Sequence, residues 1–258
     1  MANPQLINGV GSPQSIYTPG TTQYHAIGTK GIMQDGRVFY YTRNGTTSAL
    51  TRGSVYAQAA NVANHLNQTV TAAADFSVGH TAVTAGLGAT LAGRGVYDEG
   101  WCILNDDTGE GYYYKIRNSA GAGSGADMSM NLYDPIVVGA GAATSFSLIE
   151  NSYSNPIVAP AAAGEAVVGV PIGTFAAATS AATATAAAVD ATYGWMQTWG
   201  EAAVLGDEAI ALKLAITTGT GVAGAVEAGD AYGEIEFGVM RQPAVDTEYQ
   251  LAYLRIRA

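Results

Sequence analysis

The chain holds one cysteine, three lysines and three histidines in 258 residues, and only 12% of it is charged. A lone cysteine, Cys102, cannot close an internal disulfide, so an intracellular folding compartment is expected. The arginines are scattered, with Arg37, Arg43 and Arg52 early and Arg255 and Arg257 at the end, on a chain of net charge −10. Nucleic-acid binding needs clustered cations to neutralise phosphates, so no nucleic-acid partner is expected. No run approaches the roughly 20 apolar residues of a membrane helix, and the longest mild stretch, 175–189, is mostly alanine and threonine. The first fifteen residues carry no basic residue and no apolar block, so no secretory signal is expected there.

Catalytic patterns are also missing. His25, His65 and His80 are far apart in sequence, and neither H-E-x-x-H, C-x-x-C nor H-x-E occurs, so metal-ligand spacing is absent. The 9–13 cluster fails the G-x-S-x-G elbow, because Pro13 stands where glycine belongs. The glycine-rich stretch 121–125 lacks the Gly-Lys-Ser/Thr ending that contacts phosphate and magnesium. Asp106, Asp107 and Glu110 are the densest carboxylates, but their spacing departs from the calcium loop and suits a solvated hairpin tip. Cys102, between Trp101 and Ile103, reads as an inert strand position. The expectation is no enzyme, no cofactor, no metal and no catalytic residue.

What the chain has is apolar and aromatic surface. Hydrophobic residues make up 48%, with fifteen tyrosines and three tryptophans. With so little charge, contiguous apolar surface implies a protein partner or an oligomer; alternatively Gly, Ser, Thr and Asn supply the polarity. Trp195 and Trp199 flank Gln197, and on a regular strand all three share a face, which suits core or subunit packing or, alternatively, a sugar platform.

Residues 1–30, with Pro4, Pro13 and Pro19 and no periodic apolar pattern, read as an extended arm that is either disordered or ordered by lying across a neighbour, an adjacent subunit being the candidate. Asp35-Gly36 before Val38, Phe39, Tyr40 and Tyr41 marks a hairpin. Ser54 followed by Val55, Ala59, Val62 and Leu66 gives the best helical spacing. Apolar runs at 101–104 and 112–116 flank a polar loop and predict a second hairpin, and 128–132 a further strand. Asn155-Pro156 marks a boundary, beyond which strands are expected at 167–170, 193–198, 209–216, 235–241 and 249–256. The last alternates Tyr249, Leu251, Tyr253 with Gln250, Ala252, Leu254. The alanine- and threonine-rich stretch 174–191 reads as a loop or short helix.

Several of these segments resemble the head decoration (cement) proteins of tailed bacteriophages. The likeness is carried by 26–30 through 35–41, by Asp107-Thr108-Gly109-Glu110-Gly111-Tyr112, and by Leu132-Tyr133-Asp134-Pro135. It continues in Val168-Gly169-Val170-Pro171, in Tyr193 to Gly200, and in Gly238-Val239-Met240-Arg241. It covers the chain from about residue 24 except 174–191, and its motifs are turns, glycines and aromatics with no functional residue to carry over. The resemblance implies a virion structural protein on the outer surface of the capsid, made in the host cytoplasm. It would bind the major capsid protein as a homo-oligomer, a trimer at three-fold positions. A tail or fibre component of the virion and a carbohydrate-binding β module are the alternatives.

The expected fold is mainly β: two β-sandwich or β-barrel-like regions with an extended N-terminal arm and at most one or two short helices. The arm is 1–30, the first β domain 31–150 and the second 151–258. Tyr17, Tyr24, Tyr40, Trp195 and Trp199 are the interface candidates.

Overall fold

The computed structural model describes residues 3–6, 9–71, 74–162, 166–230 and 232–257. Among these the protein is mainly β, and its helical content is one 3-10 turn, Ala63–His65. The strands are β1 Gln5–Leu6, β2 Lys30–Ile32, β3 Val38–Asn44, β4 Tyr56–Ala57, β5 Gln68–Thr69, β6 Ala82–Gly86, β7 Trp101–Leu104, β8 Tyr113–Ser119 and β9 Asp127–Leu132. They continue as β10 Ser145–Ile149, β11 Ile157–Val158, β12 Val167–Pro171, β13 Thr192–Leu205, β14 Ala215–Thr218, β15 Val226–Ala228, β16 Gly238–Met240 and β17 Tyr249–Arg255.

The chain forms two compact units. Unit 1 takes Met1–Ala59, Asn155–Ala178 and Asp190–Ala258, and unit 2 takes Ala60–Ser154 and Thr179–Val189. This differs from a division into 31–150 and 151–258. β3 pairs with β13, and β4 with β11 and β12, so residues 31–59 belong with the C-terminal half.

Unit 1 is an antiparallel sheet ordered β1-β2-β3-β13-β17-β16-β14-β15, with β12, β4 and β11 branching from β13. The Asp35-Gly36 turn joins β2 to β3, as its sequence demands, with Met33 N–H bonded to the Arg37 carbonyl at 2.9 Å. Every residue of β3 is buried, the apolar stretch Val38 to Tyr41 and the polar end Thr42 to Asn44 alike, with β2 and β13 flanking it. A hydrophobic cluster including Val204, Ile216, Met240, Ala252 and Leu254 fills the far half of the sheet.

The N-terminal segment packs on its own chain, which corrects the expected arm; residues 1, 2, 7 and 8 lie outside the described ones. Ile16 is fully buried, β1 pairs with β2, and Gly20 bridges to Tyr193. The proline-spaced chain lacks periodicity because side-chain hydrogen bonds, rather than an apolar stripe, hold it down. Residues 54–66 also depart from the expected helix. Tyr56 and Ala57 pair with β11 and β12, leaving only the short turn at Ala63–His65. Helical spacing lost to strand pairing across the sequence.

Unit 2 is a six-stranded antiparallel sheet ordered β5-β10-β7-β8-β9-β6. In β9, Met128, Met130 and Leu132 point into its core while Asp127, Ser129 and Asn131 face water. Phe76 and Phe146 stack at 6.2 Å at its centre. The β7–β8 hairpin is present, and its loop is tied down by Asp106, whose Oδ1 accepts from Ser145 N–H at 2.6 Å and Ser145 Oγ at 2.8 Å. Those bonds hold the Asp106 carboxyl below its usual range. The alanine-rich stretch is a loop, and its central part 179–189 packs into unit 2, where Arg94 N–H bonds to the Thr183 carbonyl at 2.8 Å.

Candidate interaction surface

The five interface candidates divide. Tyr17 and Tyr24 are exposed and Trp199 is half-buried, but Tyr40 is 6% and Trp195 0% exposed. Tyr40 and Trp195 are therefore core residues. Trp195 lies edge-on to Tyr41 at 5.1 Å and beside the His25 ring at 5.5 Å, and Tyr40 lies under the Arg257 guanidinium at 5.0 Å. An indole with no open face cannot stack on a sugar, so the platform built on Trp195 is withdrawn.

The two indoles do not share a face either. Along β3, Trp195 sits opposite Tyr41 and Gln197 opposite Phe39, but Trp199 sits opposite Val38. Two steps on β13 match one on β3, which is a β-bulge with Thr198 as the extra residue. Partners in an antiparallel ladder project to one side, and Tyr41 and Val38 stand an odd number of residues apart, so the bulge turns Trp199 away from Trp195. Gln197 ties the strand across this point, its Nε2 donating to the carbonyls of Trp199 at 3.0 Å and Glu201 at 2.9 Å.

Beyond the bulge, β13 pairs with β17 over seven residues, from Trp199 opposite Arg255 to Leu205 opposite Tyr249. On β17 the smaller set is inside: Gln250, Ala252 and Leu254 are buried. The larger set faces out, with Tyr249 50% and Leu251 41% exposed and Tyr253 half-buried. Trp199 meets Tyr253 edge-on at 5.8 Å, and the Arg241 guanidinium lies 6.0 Å from the Tyr253 ring while pairing with Glu201 at 2.9 Å.

Two depressions open on this face. One, of about 390 Å³, lies among Tyr17, Arg52, Gly53, Ile172, Ala203, Tyr249 and Leu251. The other, of about 540 Å³, lies among Asp35, Trp199, Gly200 and Tyr253. Arg37 and Glu201 line both, so the two lie side by side along this face as a shallow trough with Arg37 and Glu201 at its middle. Glycines shape it. Gly53 has φ +75°, and a Cβ there would meet the Tyr249 ring at 2.6 Å, so only glycine lets that ring lie in the wall. Gly200, at φ +90°, admits the Arg37 stem, whose Cγ a Cβ would meet at 2.8 Å.

Unit 2 carries its own exposed aromatic pair, Trp101 against Tyr113 at 5.4 Å on the β7–β8 hairpin. Nearby, Lys115 pairs with Glu99 Oε2 at 2.8 Å and lies 5.3 Å over the Tyr133 ring. The Tyr133 hydroxyl donates to Glu99 Oε1, and chiefly that bond pushes the phenol up to about 12. Glu99 thus takes the Lys115 ammonium on one oxygen and the Tyr133 hydroxyl on the other.

Arg52, Tyr249, Leu251, Tyr253 and Trp101 are not among the interface candidates of the sequence, whereas Tyr113 belongs to the aromatic run Tyr112 to Tyr114 that stands out in it. The alternation of β17 was visible, but nothing in it says which set faces water.

No family model, no curated protein and no solved structure matches the chain.

Proposed function

We propose that this protein is a structural component of a virion, a capsid decoration protein that binds the outside of the assembled head and acts through its surface, without catalysis. The observation that carries the reading is the inverted strand β17, which buries Gln250, Ala252 and Leu254 and turns Tyr249, Leu251 and Tyr253 outward. A chain meant to stay alone gains by the opposite arrangement, since burying apolar area contributes roughly 25 cal/mol per Å². Outward aromatics on a charge-poor protein suit burial against another protein.

On this reading the partner is the major capsid protein, bridged between neighbouring subunits, with the decoration protein itself a trimer at three-fold positions. A ligand that binds only the assembled shell stabilises that shell by mass action. The resemblance of the motifs from residue 24 onward to cement proteins supports the same assignment. Electron microscopy of virions labelled with antibody against this chain tests it. Label over the heads supports the assignment, label confined to tails transfers it to a tail or fibre component, and unlabelled particles overturn it.

A further inference from the structure

The trough on unit 1 has a charge asymmetry that points to its occupant. Two of its charged side chains are already neutralised: Arg37 pairs with Asp35 at 2.8 Å, and Glu201 with Arg241 at 2.9 Å. Arg52, exposed at the apolar end, has no ion pair or hydrogen bond among the described residues. A chain of net charge −10 therefore presents one uncompensated cation beside an apolar depression. The volume of about 390 Å³ lies within the roughly 300–1,000 Å³ of ligand pockets.

We infer that the trough binds an extended segment of a partner protein, which seats an aromatic or aliphatic side chain against Tyr249 and Leu251 and sets a neighbouring carboxylate on Arg52. Two neighbouring depressions on one face favour a chain over a compact small molecule, because an extended peptide advances about 3.4 Å per residue and can reach both. Arg52 supplies a two-pronged donor that matches a carboxylate. The bare backbone at Gly53 leaves the space in which the Tyr249 ring lies as one wall of the depression.

This inference rests on the reading of the chain as an assembly protein, and it is tested without shells so that the two can fail separately. The probe is the acetylated, amidated peptide Gly-Ser-Phe-Asp-Ser-Gly, titrated into isotopically labelled protein and followed by amide chemical shifts. Saturable shifts at Gly53, Ala203 and Leu251 are expected at millimolar peptide. Replacing the peptide Asp by Asn should weaken binding about two- to fivefold, the range of an exposed ion pair. Arg52→Gln should cause the same loss, and the two changes together should cost no more than either alone. Ala203→Trp, which fills the depression from an exposed position, should abolish the shifts. Absent shifts, shifts elsewhere on the protein, or binding indifferent to Asp→Asn and to Arg52→Gln would overturn the inference and leave head labelling untouched.

Discussion

The Tyr41 hydroxyl donates to Gln14 Oε1 at 2.8 Å, joining the N-terminal segment to the middle of β3. Gln14 in turn donates through Nε2 to the carbonyls of Tyr193 at 2.8 Å and Thr18 at 3.1 Å, and Tyr24 N–H bonds to the Tyr41 oxygen at 3.1 Å. Burial raises the Tyr41 phenol to about 12, so it stays a neutral donor at ordinary pH. Gln14→Ala leaves this buried network short of partners and should cost about 1–3 kcal/mol. Deleting residues 2–23 also removes Ile16 from the core, and should lower the thermal midpoint far more than Gln14→Ala does. A truncated chain that melts like the full one would show that the segment is dispensable to the fold.

Gln197 is the clamp on the bulge. Replacing it by Ala removes the donor to the carbonyls of Trp199 and Glu201 and should cost about 1–3 kcal/mol in denaturant unfolding. Because the clamp sets the turn of β13 before the trough, a Trp101→Phe background, in which both remaining indoles lie on β13, should show altered tryptophan fluorescence when Gln197 is replaced. Unchanged stability and spectrum would mean the bulge is held by its strand partners alone.

The pH dependence should carry the mark of His25. Burial lowers its pKa below the ordinary 6.5, and its ring sits against Tyr41 and Trp195 with Ser12 Oγ at 3.0 Å from Nε2. With the folded value depressed, the unfolded chain binds more protons between the two values. Its stabilising contribution is therefore complete above the unfolded pKa and is lost as pH falls through the folded one. Melting curves between ~pH 5 and ~pH 8 should show a falling midpoint on the acid side. His25→Gln should flatten that slope, and an equal slope in both proteins would assign the effect elsewhere.

Cys102 is fully buried in the unit 2 core, and burial pushes its thiol up to about 12. Nucleophilic thiolate is thus scarce at neutral pH, and reagent has no path to it. A thiol reagent should leave the native protein unmodified and label it stoichiometrically once denatured. Rapid native labelling would show that the β7 region opens locally.

Particular residues show how far the sequence could be read. Asp35-Gly36 and the alternations in β9 and β17 are local signals, and they mark their strands. The spacing of Val55, Ala59, Val62 and Leu66 is equally local but misleads, because Tyr56 and Ala57 are committed to partners about a hundred residues away. Thr198 looks like any strand residue, yet as a bulge it reverses the face of Trp199, which no count of two along the chain reveals. Gln14 holds the N-terminal segment through polar bonds to β3 and β13, and no apolar periodicity announces such bonds. The outward set of β17 was hidden for a related reason: hydrophobicity alone favours burying Tyr249 and Leu251 over Gln250.

On the proposed assignment to a virion, cosedimentation with undecorated heads of the proposed parent phage tests most directly whether the outward face of β13 and β17 is where the protein works. Wild-type protein should pellet with the heads in a saturable, fixed ratio, and the folded double variant Tyr249→Ser, Leu251→Ser should stay largely in solution. Wild-type protein that remains in the supernatant, or a double variant that pellets as well as wild type, would contradict the account.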